Sequence, residues 1–242
     1  MDKRHWLECP STLTHGNIIQ RVIFTRKDPQ DPRKEGAVLN FIDSFARGYL
    51  EPGVSSVSHV NEGIQEFFFV AAGAGKLSSS AKTYPITEGD GILMPTGVEH
   101  TFINDGAEPL ELLILVETVP QGFNTLSEPL IRNYRSTHLG QGHWTHIVHG
   151  ILFRNDGFSV IDSTLVVRIE AMQTADNHGH GDDMDEVWYM WKGTGVHVVG
   201  KEVWVQTPGT AVSVAPSAPG HSLINHTEEP LQVFYFAQYN RR

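Results

Sequence analysis

An internal repeat constrains this chain more than any other feature. Phe41-Ile42-Asp43-Ser44 returns 119 residues later as Val160-Ile161-Asp162-Ser163, and Glu51 returns at the same offset as Glu170. His59 then matches His178, Glu66 matches Glu186, Gly73 matches Gly193, Gly89 matches Gly209, His100 matches His221 and Asn104 matches Asn225. Glu108-Pro109-Leu110 reappears as Glu229-Pro230-Leu231, so the offset drifts only from 119 to 121. Such a chain folds as two copies of one unit, and 242 residues divide into two units of ordinary domain size. The expected division is 1–120 for the first unit, 121–140 for a linker and 141–242 for the second.

The repeated unit reads as β-structure. Residues 65–70 (QEFFFV) and 186–191 (EVWYMW) are aromatic and aliphatic runs of the kind found in strands buried on both faces. Alternate residues of a strand share a face, which groups Glu66 with Phe68 and Val70, and Glu186 with Trp188 and Met190. The faces with the acids turn inward, so Trp188 and Phe68 line cavities or pack in the core beside them. Further strands are expected over 18–25, 110–116, 160–169, 195–199 and 231–237. The 23 glycines and 13 prolines punctuate these at short intervals, as in a β-sandwich or barrel. A short helix is expected over 127–134, inside the 118–140 linker, and the proline-bearing charged stretch 26–34 reads as an exposed loop.

Chemistry concentrates in the second copy. His178 and His180 sit two apart, so on an extended strand both imidazoles project from one face. Glu186 follows a stretch containing Gly181, Asp182, Asp183 and Asp185, whose composition suits a turn that returns the carboxylate on the paired strand. His221 comes just after the Pro219-Gly220 turn. Three imidazoles and one carboxylate form a donor set for a divalent metal ion, with Fe, Mn, Ni, Zn and Cu all eligible. In the first copy His59, Glu66 and His100 supply two imidazoles and a carboxylate, but Asn61 stands where the second copy has His180. An amide oxygen is a poorer transition-metal ligand, so both an occupied site and a mainly structural barrel stay open there. His143, His146 and His149 are spaced by three, which on a strand alternates faces, and they read as ordinary strand histidines.

The spacing H-x-H-x5-E-x6-G from His178 to Gly193 resembles the first motif of the cupin superfamily, with one residue more than usual before the Glu. P-x2-P-G-H-x3-N, ending at Asn225, resembles the second motif. In the first copy G-x5-P-x-G-x2-H-x3-N, from Gly89 to Asn104, fits the second motif without a gap, while its first motif reads H-x-N-x4-E-x6-G. The resemblance implies an all-β bicupin, two tandem double-stranded β-helix (jelly-roll) barrels. It also implies a metal held by His178, His180, Glu186 and His221 with positions open to water, oxygen or a chelating substrate.

Two-domain members of about this size include dioxygenases, isomerases and ureidoglycine aminohydrolase-like enzymes. Residues 62–77 look somewhat like the last group, yet that group resembles E-x-H-x3-H in its second domain, a different order from H-x-H-x5-E. The expectation is a metal-dependent enzyme of dioxygenase-like chemistry acting on a small organic molecule, with Glu186 and Trp188 as catalytic residues. An aminohydrolase-like hydrolase or isomerase and a non-catalytic small-molecule-binding cupin are the alternatives. Trp188, Met190 and Trp204 would supply an apolar cavity.

Composition excludes some partners. A formal net charge of -10 argues against nucleic acid, which needs a basic surface. No apolar run is long enough to span a bilayer. The single cysteine, Cys9, forms no internal disulfide, and residues 1–9 lack the apolar core of a secretory signal, so a cytoplasmic location is expected. Strand edges that need covering point to a homodimer.

Overall fold

Strands form at both aromatic runs and extend beyond them. The computed structural model describes residues 1–181, 184–215 and 218–239. The first repeat contains β1 (Asp2–His5), β2 (Ser11–Thr14), β3 (Ile18–Arg26), β4 (Ala37–Leu39), β5 (Ser44–Leu50), β6 (Ile64–Ala72), β7 (Ala74–Ser79), β8 (Lys82–Thr87), β9 (Asp90–Met94), β10 (His100–Ile103) and β11 (Leu110–Thr118). The second contains β12 (Leu130–Asn133), β13 (Leu139–Gly142), β14 (His146–Phe153), β15 (Ser163–Ile169), β16 (Met184–Lys192), β17 (Gly195–Val199), β18 (Glu202–Gln206), β19 (Thr210–Ser213), β20 (His221–Ile224) and β21 (Leu231–Tyr239).

Each repeat is a jelly-roll barrel in which a large antiparallel sheet packs on a small one. In the first, the order β12-β9-β6-β11-β5-β3-β2, with β4 added beside β3, packs on β10-β7-β8. In the second, β1-β19-β16-β21-β15-β14-β13 packs on β18-β17-β20. The first strand of each repeat therefore belongs to the other repeat's sheet: β1 lies against β19, with Asp2 opposite Ser213, and β12 lies against β9, with Leu130 opposite Leu93. The stretch expected as a linker, 121–140, thus holds a sheet strand, a 3-10 turn at Tyr134–Ser136 and the start of β13. The helix expected over 127–134 gives way to this strand because the edge of β9 offers partners for its backbone N–H and C=O groups, and β-branched Ile131 suits the pairing.

The double burial of β6 and β16 has a simple cause. Phe68 and Val70 point into the first barrel, and Trp188 and Met190 into the second. Their neighbours Phe67, Phe69, Val187, Tyr189 and Trp191 point the other way, into a core shared by both barrels with Phe45, Phe234 and Phe236. Phe69 lies 5.0 Å from both Phe234 and Trp191, ring centre to ring centre. Each fully buried phenylalanine contributes roughly 1.5–3 kcal/mol, so this seam stabilises on the scale of either barrel's own interior.

Two buried carboxylates lock the seam reciprocally. Glu117 of the first barrel accepts hydrogen bonds from the backbone N–H groups of Ser159 (2.7 Å), Val160 (2.8 Å) and Ile161 (2.6 Å). Asp185 of the second accepts from Asn40 (2.6 Å), Phe41 (2.7 Å) and Ile42 (2.8 Å). The repeated tetrapeptide of the sequence is the loop that each clamp grips. For this reason β15 begins at Ser163 and not at residue 160, as the sequence pattern suggested. Burial pushes both carboxyl groups above their ordinary range, against the pull of these hydrogen bonds.

Candidate metal centres

Backbone pairing assembles the second barrel's site. His178 and His221 exchange two main-chain hydrogen bonds, N to O, of 3.1 and 2.7 Å, which set their rings 4.3 Å apart. His180 follows two residues later, and Glu186 reaches in from β16 with 1% exposure. The carboxylate lies 3.4 Å from His180 Nε2 through Oε2 and 3.4 Å from His221 Nε2 through Oε1. Four side chains, His178, His180, Glu186 and His221, thus offer ligand atoms within 4.8 Å of one another. Asp182 and Asp183, where the sequence suggests a turn, and Pro216 of the second motif lie outside the described residues.

The orphaned atoms of this group test whether a metal fits. His178 Nδ1–H donates to the Asp176 carbonyl at 3.1 Å, which leaves its Nε2 lone pair facing the centre. The Nε2 atoms of His178, His180 and His221 and Oε2 of Glu186 are buried without a hydrogen-bond partner among the described residues. A buried unmet polar atom costs about 1–3 kcal/mol, and a single divalent ion bound about 2.0–2.2 Å from each would satisfy all four. The donor set therefore fits a first-row divalent metal. Burial alone would raise the Glu186 carboxyl, but His180 and His221 beside it outweigh that and hold it well below the usual carboxylate range. Trp188 Nε1–H donates to Glu186 Oε1 at 2.9 Å and fixes the carboxylate plane.

A cavity of about 190 Å3 opens beside these ligands, walled by Val148, Leu165, Val167, Trp188, Tyr235 and Tyr239. Three of its polar side chains are kept neutral by burial. Burial lowers His146 to about 3, and it raises Tyr239 to about 12 and Tyr235 well above its ordinary value. The two tyrosine hydroxyls share a 2.5 Å hydrogen bond. Trp204, expected in the cavity, is instead 42% exposed on the outer strand β18 with the Lys3 ammonium 3.6 Å over its ring, and Met190 packs deeper in the core. Residues 202–205 of β18 are all exposed and only Gln206 at its end is buried, so aromatic character alone did not place that side chain inside.

The first barrel brings the same elements together with a different result. His59 and His100 exchange two backbone hydrogen bonds of 2.9 Å. Asn61 Nδ2 donates to Glu66 Oε2 at 2.7 Å, so its Oδ1 accepts from His59 Nε2–H at 2.9 Å. The nitrogen of His59 that would ligate is spent on Asn61. The expected trio of His59, Glu66 and His100 is thus replaced by His15, Glu66 and His100, whose ligand atoms lie within 4.8 Å of one another.

Sequence reasoning missed His15 and its counterpart. His15 sits in the β2–β3 turn at φ 48° and His143 in the β13–β14 turn at φ 44°, each turn closed by an N–H donated to the histidine carbonyl from two residues on. His15 Nε2 lies 3.1 Å from Glu66 Oε2. His143 is turned aside, stacked on His178 at 3.6 Å between ring centres, with Nδ1 3.1 Å from Asp176 Oδ1. With His146 it lines the cavity, so two of the three histidines read as ordinary belong to the site. His149 packs on Tyr134, 5.4 Å away, as a strand residue would. The signal was present as a recurring histidine between two short strands, but 128 residues separate the pair and the motifs repeat at 119 to 121.

Comparisons with known proteins agree on the fold. A cupin-domain family model matches residues 47–116. No curated protein sequence matches the chain. Among solved structures, a Pseudomonas aeruginosa protein described as glyoxylate-induced is similar with TM-score 0.77 at 12% identity, over 96% of this chain and 85% of that one. An oxalate decarboxylase variant of Bacillus subtilis is similar with TM-score 0.74 at 15% identity, over 98% and 77%. The 7S globulin of Momordica charantia follows with TM-score 0.71 at 12% identity, over 99% and 84%. At such identities the likeness is one of fold, and the fold serves both an enzyme and a globulin.

Proposed function

We propose, from the premise that this chain belongs to the cupin superfamily as a two-domain bicupin, that its C-terminal barrel is a metal-dependent enzyme site acting on a small organic molecule by dioxygenase-like chemistry. One observation carries the reading: four buried, unsatisfied ligand atoms converge at the edge of a small apolar cavity. His178, His180, Glu186 and His221 would hold the ion, which when bound supplies Lewis acidity and, as iron(II), a means to activate dioxygen.

The chain's own residues do the rest. Trp188 holds the Glu186 carboxylate in place through its indole N–H, and such supporting contacts commonly tune a metal site 10–100-fold. The apolar walls exclude water from the reacting centre. His146 Nε2, buried and unmet, and the paired hydroxyls of Tyr235 and Tyr239 offer neutral hydrogen-bonding groups to substrate oxygens. Among the described lining residues there is no lysine or arginine, which favours a molecule whose charged or chelating oxygens go to the metal. Catechols and enolised 1,3-diketones have that chemistry. The manganese(II) centres described for Bacillus subtilis oxalate decarboxylase make manganese a further candidate ion.

The test is anaerobic loading with iron(II) followed by oxygen-uptake measurements with catechols, 1,3-diketones and hydroxylated aromatic acids. Ureido and sugar-acid substrates run in parallel without oxygen. Uptake abolished by Glu186→Ala is the expected result. Ammonia release without oxygen would replace the reading with an aminohydrolase-like one, and tight reversible binding without turnover under any metal would reduce it to a binding protein. A homodimer that covers the edge strands β2 and β13 is part of the same proposal, with light scattering as its check.

A further inference from the structure

We propose that the N-terminal barrel holds a closed divalent-metal site made by His15, Glu66 and His100, in which His15 comes from outside both sequence motifs and the ion stabilises the barrel. The inference does not depend on the function assigned to the other barrel.

The protonation pattern carries it. The Val98 carbonyl only accepts, so His100 Nδ1–H donates to it at 3.1 Å and His100 Nε2 is a bare lone pair. That atom is buried without a partner among the described residues, in a side chain 1% exposed. His15 Nδ1 lies 3.0 Å from the Thr14 hydroxyl, which can accept its proton and leave Nε2 free to ligate 3.1 Å from Glu66 Oε2. A proton on His15 Nε2 would satisfy Glu66 and leave His100 unmet, whereas a cation satisfies all three.

The spacing agrees. Two donors each about 2.0–2.2 Å from one ion stand roughly 3.0–3.5 Å apart, and His15 and Glu66 do. The chain from His59 through Asn61 to Glu66 then orients the carboxylate from behind, in the manner of the outer partners that support metal ligands.

The site is closed where the other is open. His15 is 4% exposed and its ring meets Phe68 and Phe102 edge-on at 5.7 and 6.4 Å, so it fills the space that the outward turn of His143 leaves as a cavity in the second barrel. Three protein ligands leave one coordination position, but the packed rings of Phe68 and Phe102 leave no room beside it for an added ligand, so an ion there serves the fold.

Full-length protein carrying His178→Ala and His221→Ala isolates this site. After chelation, loading with zinc(II) and desalting, elemental analysis should find about one zinc per chain, and the zinc should raise the melting temperature. Adding His15→Gln should remove the zinc, while adding His59→Gln should leave it. Absence of zinc from the double variant, or its retention after His15→Gln, overturns the proposal. Should His15→Gln fail to fold, cobalt(II) in the double variant decides: visible bands unchanged by excess azide are expected, and no bands, or bands shifted by azide, refute the closed site.

Discussion

In the N-terminal barrel the central carboxylate, Glu66, already accepts from the Asn61 amide at 2.7 Å and stands 3.1 Å from His15 Nε2. In the C-terminal barrel Glu186 sits at the same place on its strand with one neutral donor, Trp188, and the Nε2 atoms of three imidazoles around it. Two residues account for the difference. Asn61 against His180 decides whether the carboxylate is held by an amide or faced by a ligand, and the inward turn of His15 against the outward turn of His143 decides whether there is room for a guest. Duplication supplies two frames of one geometry, and the frame kept open is the one whose turn histidine swings away from the carboxylate.

Where the repeats are alike, equivalent mutations should cost alike, and where they differ, the costs should part. The largest effect is expected from the clamps. Glu117→Ala and Asp185→Ala each strand one buried and two half-buried N–H groups, so each should lower stability by on the order of 4 kcal/mol in urea unfolding, and a large inequality would break the equivalence of the two loops. Trp188→Phe comes next. It removes the indole donor to Glu186 and keeps the wall, so metal affinity of the C-terminal barrel should fall about 10–100-fold by competition with a chelator, with the first barrel's zinc unchanged.

A pH effect separates the barrels more finely. His197 of β17 takes the register of Leu77 of β7, and its partner Gln206, 3.0 Å away, takes that of Ile86. Burial lowers His197 to about 4. The unfolded chain takes up a proton as pH falls through about 6.5 while the folded chain does not, so stability is full above that value and declines down to about pH 4, by at most about 3 kcal/mol. His197→Leu, which gives the second barrel the residue of the first, should remove that share of the metal-free protein's stability loss over the window and leave the share of the other buried histidines, His100 and His146. The smallest effect belongs to the exposed pair of Lys192 and Glu88, 2.8 Å apart across the seam, where Lys192→Ala should cost about 0.5 kcal/mol and vanish at high salt.

The fold was legible because strands buried on both faces write themselves as unbroken apolar runs, and because the repeat placed His178, His180, Glu186 and His221 in equivalent frames. The clamp loops were visible too, as the recurring Ile-Asp-Ser, though their role needed Glu117 and Asp185 in space. What stayed hidden depended on direction and distance. A histidine in a tight turn aims according to its φ, so His15 and His143 could not be assigned from spacing. Trp204 looked internal because hydrophobicity does not say which strand lies at the outer edge of its sheet, and 127–134 looked helical because its partner, β9, lies about forty residues upstream in the sequence.

The crossing of β1 to β19 bears on how the protein is made. Residues 2–5 are made long before their hydrogen-bonding partners, residues 210–213. The first barrel likewise lacks an edge until residues 130–133 arrive, so neither half can close within its own stretch of nascent chain. Contacts this distant in sequence slow folding and leave an unpaired strand waiting. The newborn polypeptide therefore carries an unpaired β1 until β19 is made, and stalling translation anywhere between residues 140 and 205 should leave that strand open to capture by chaperones or by a neighbouring copy's β19.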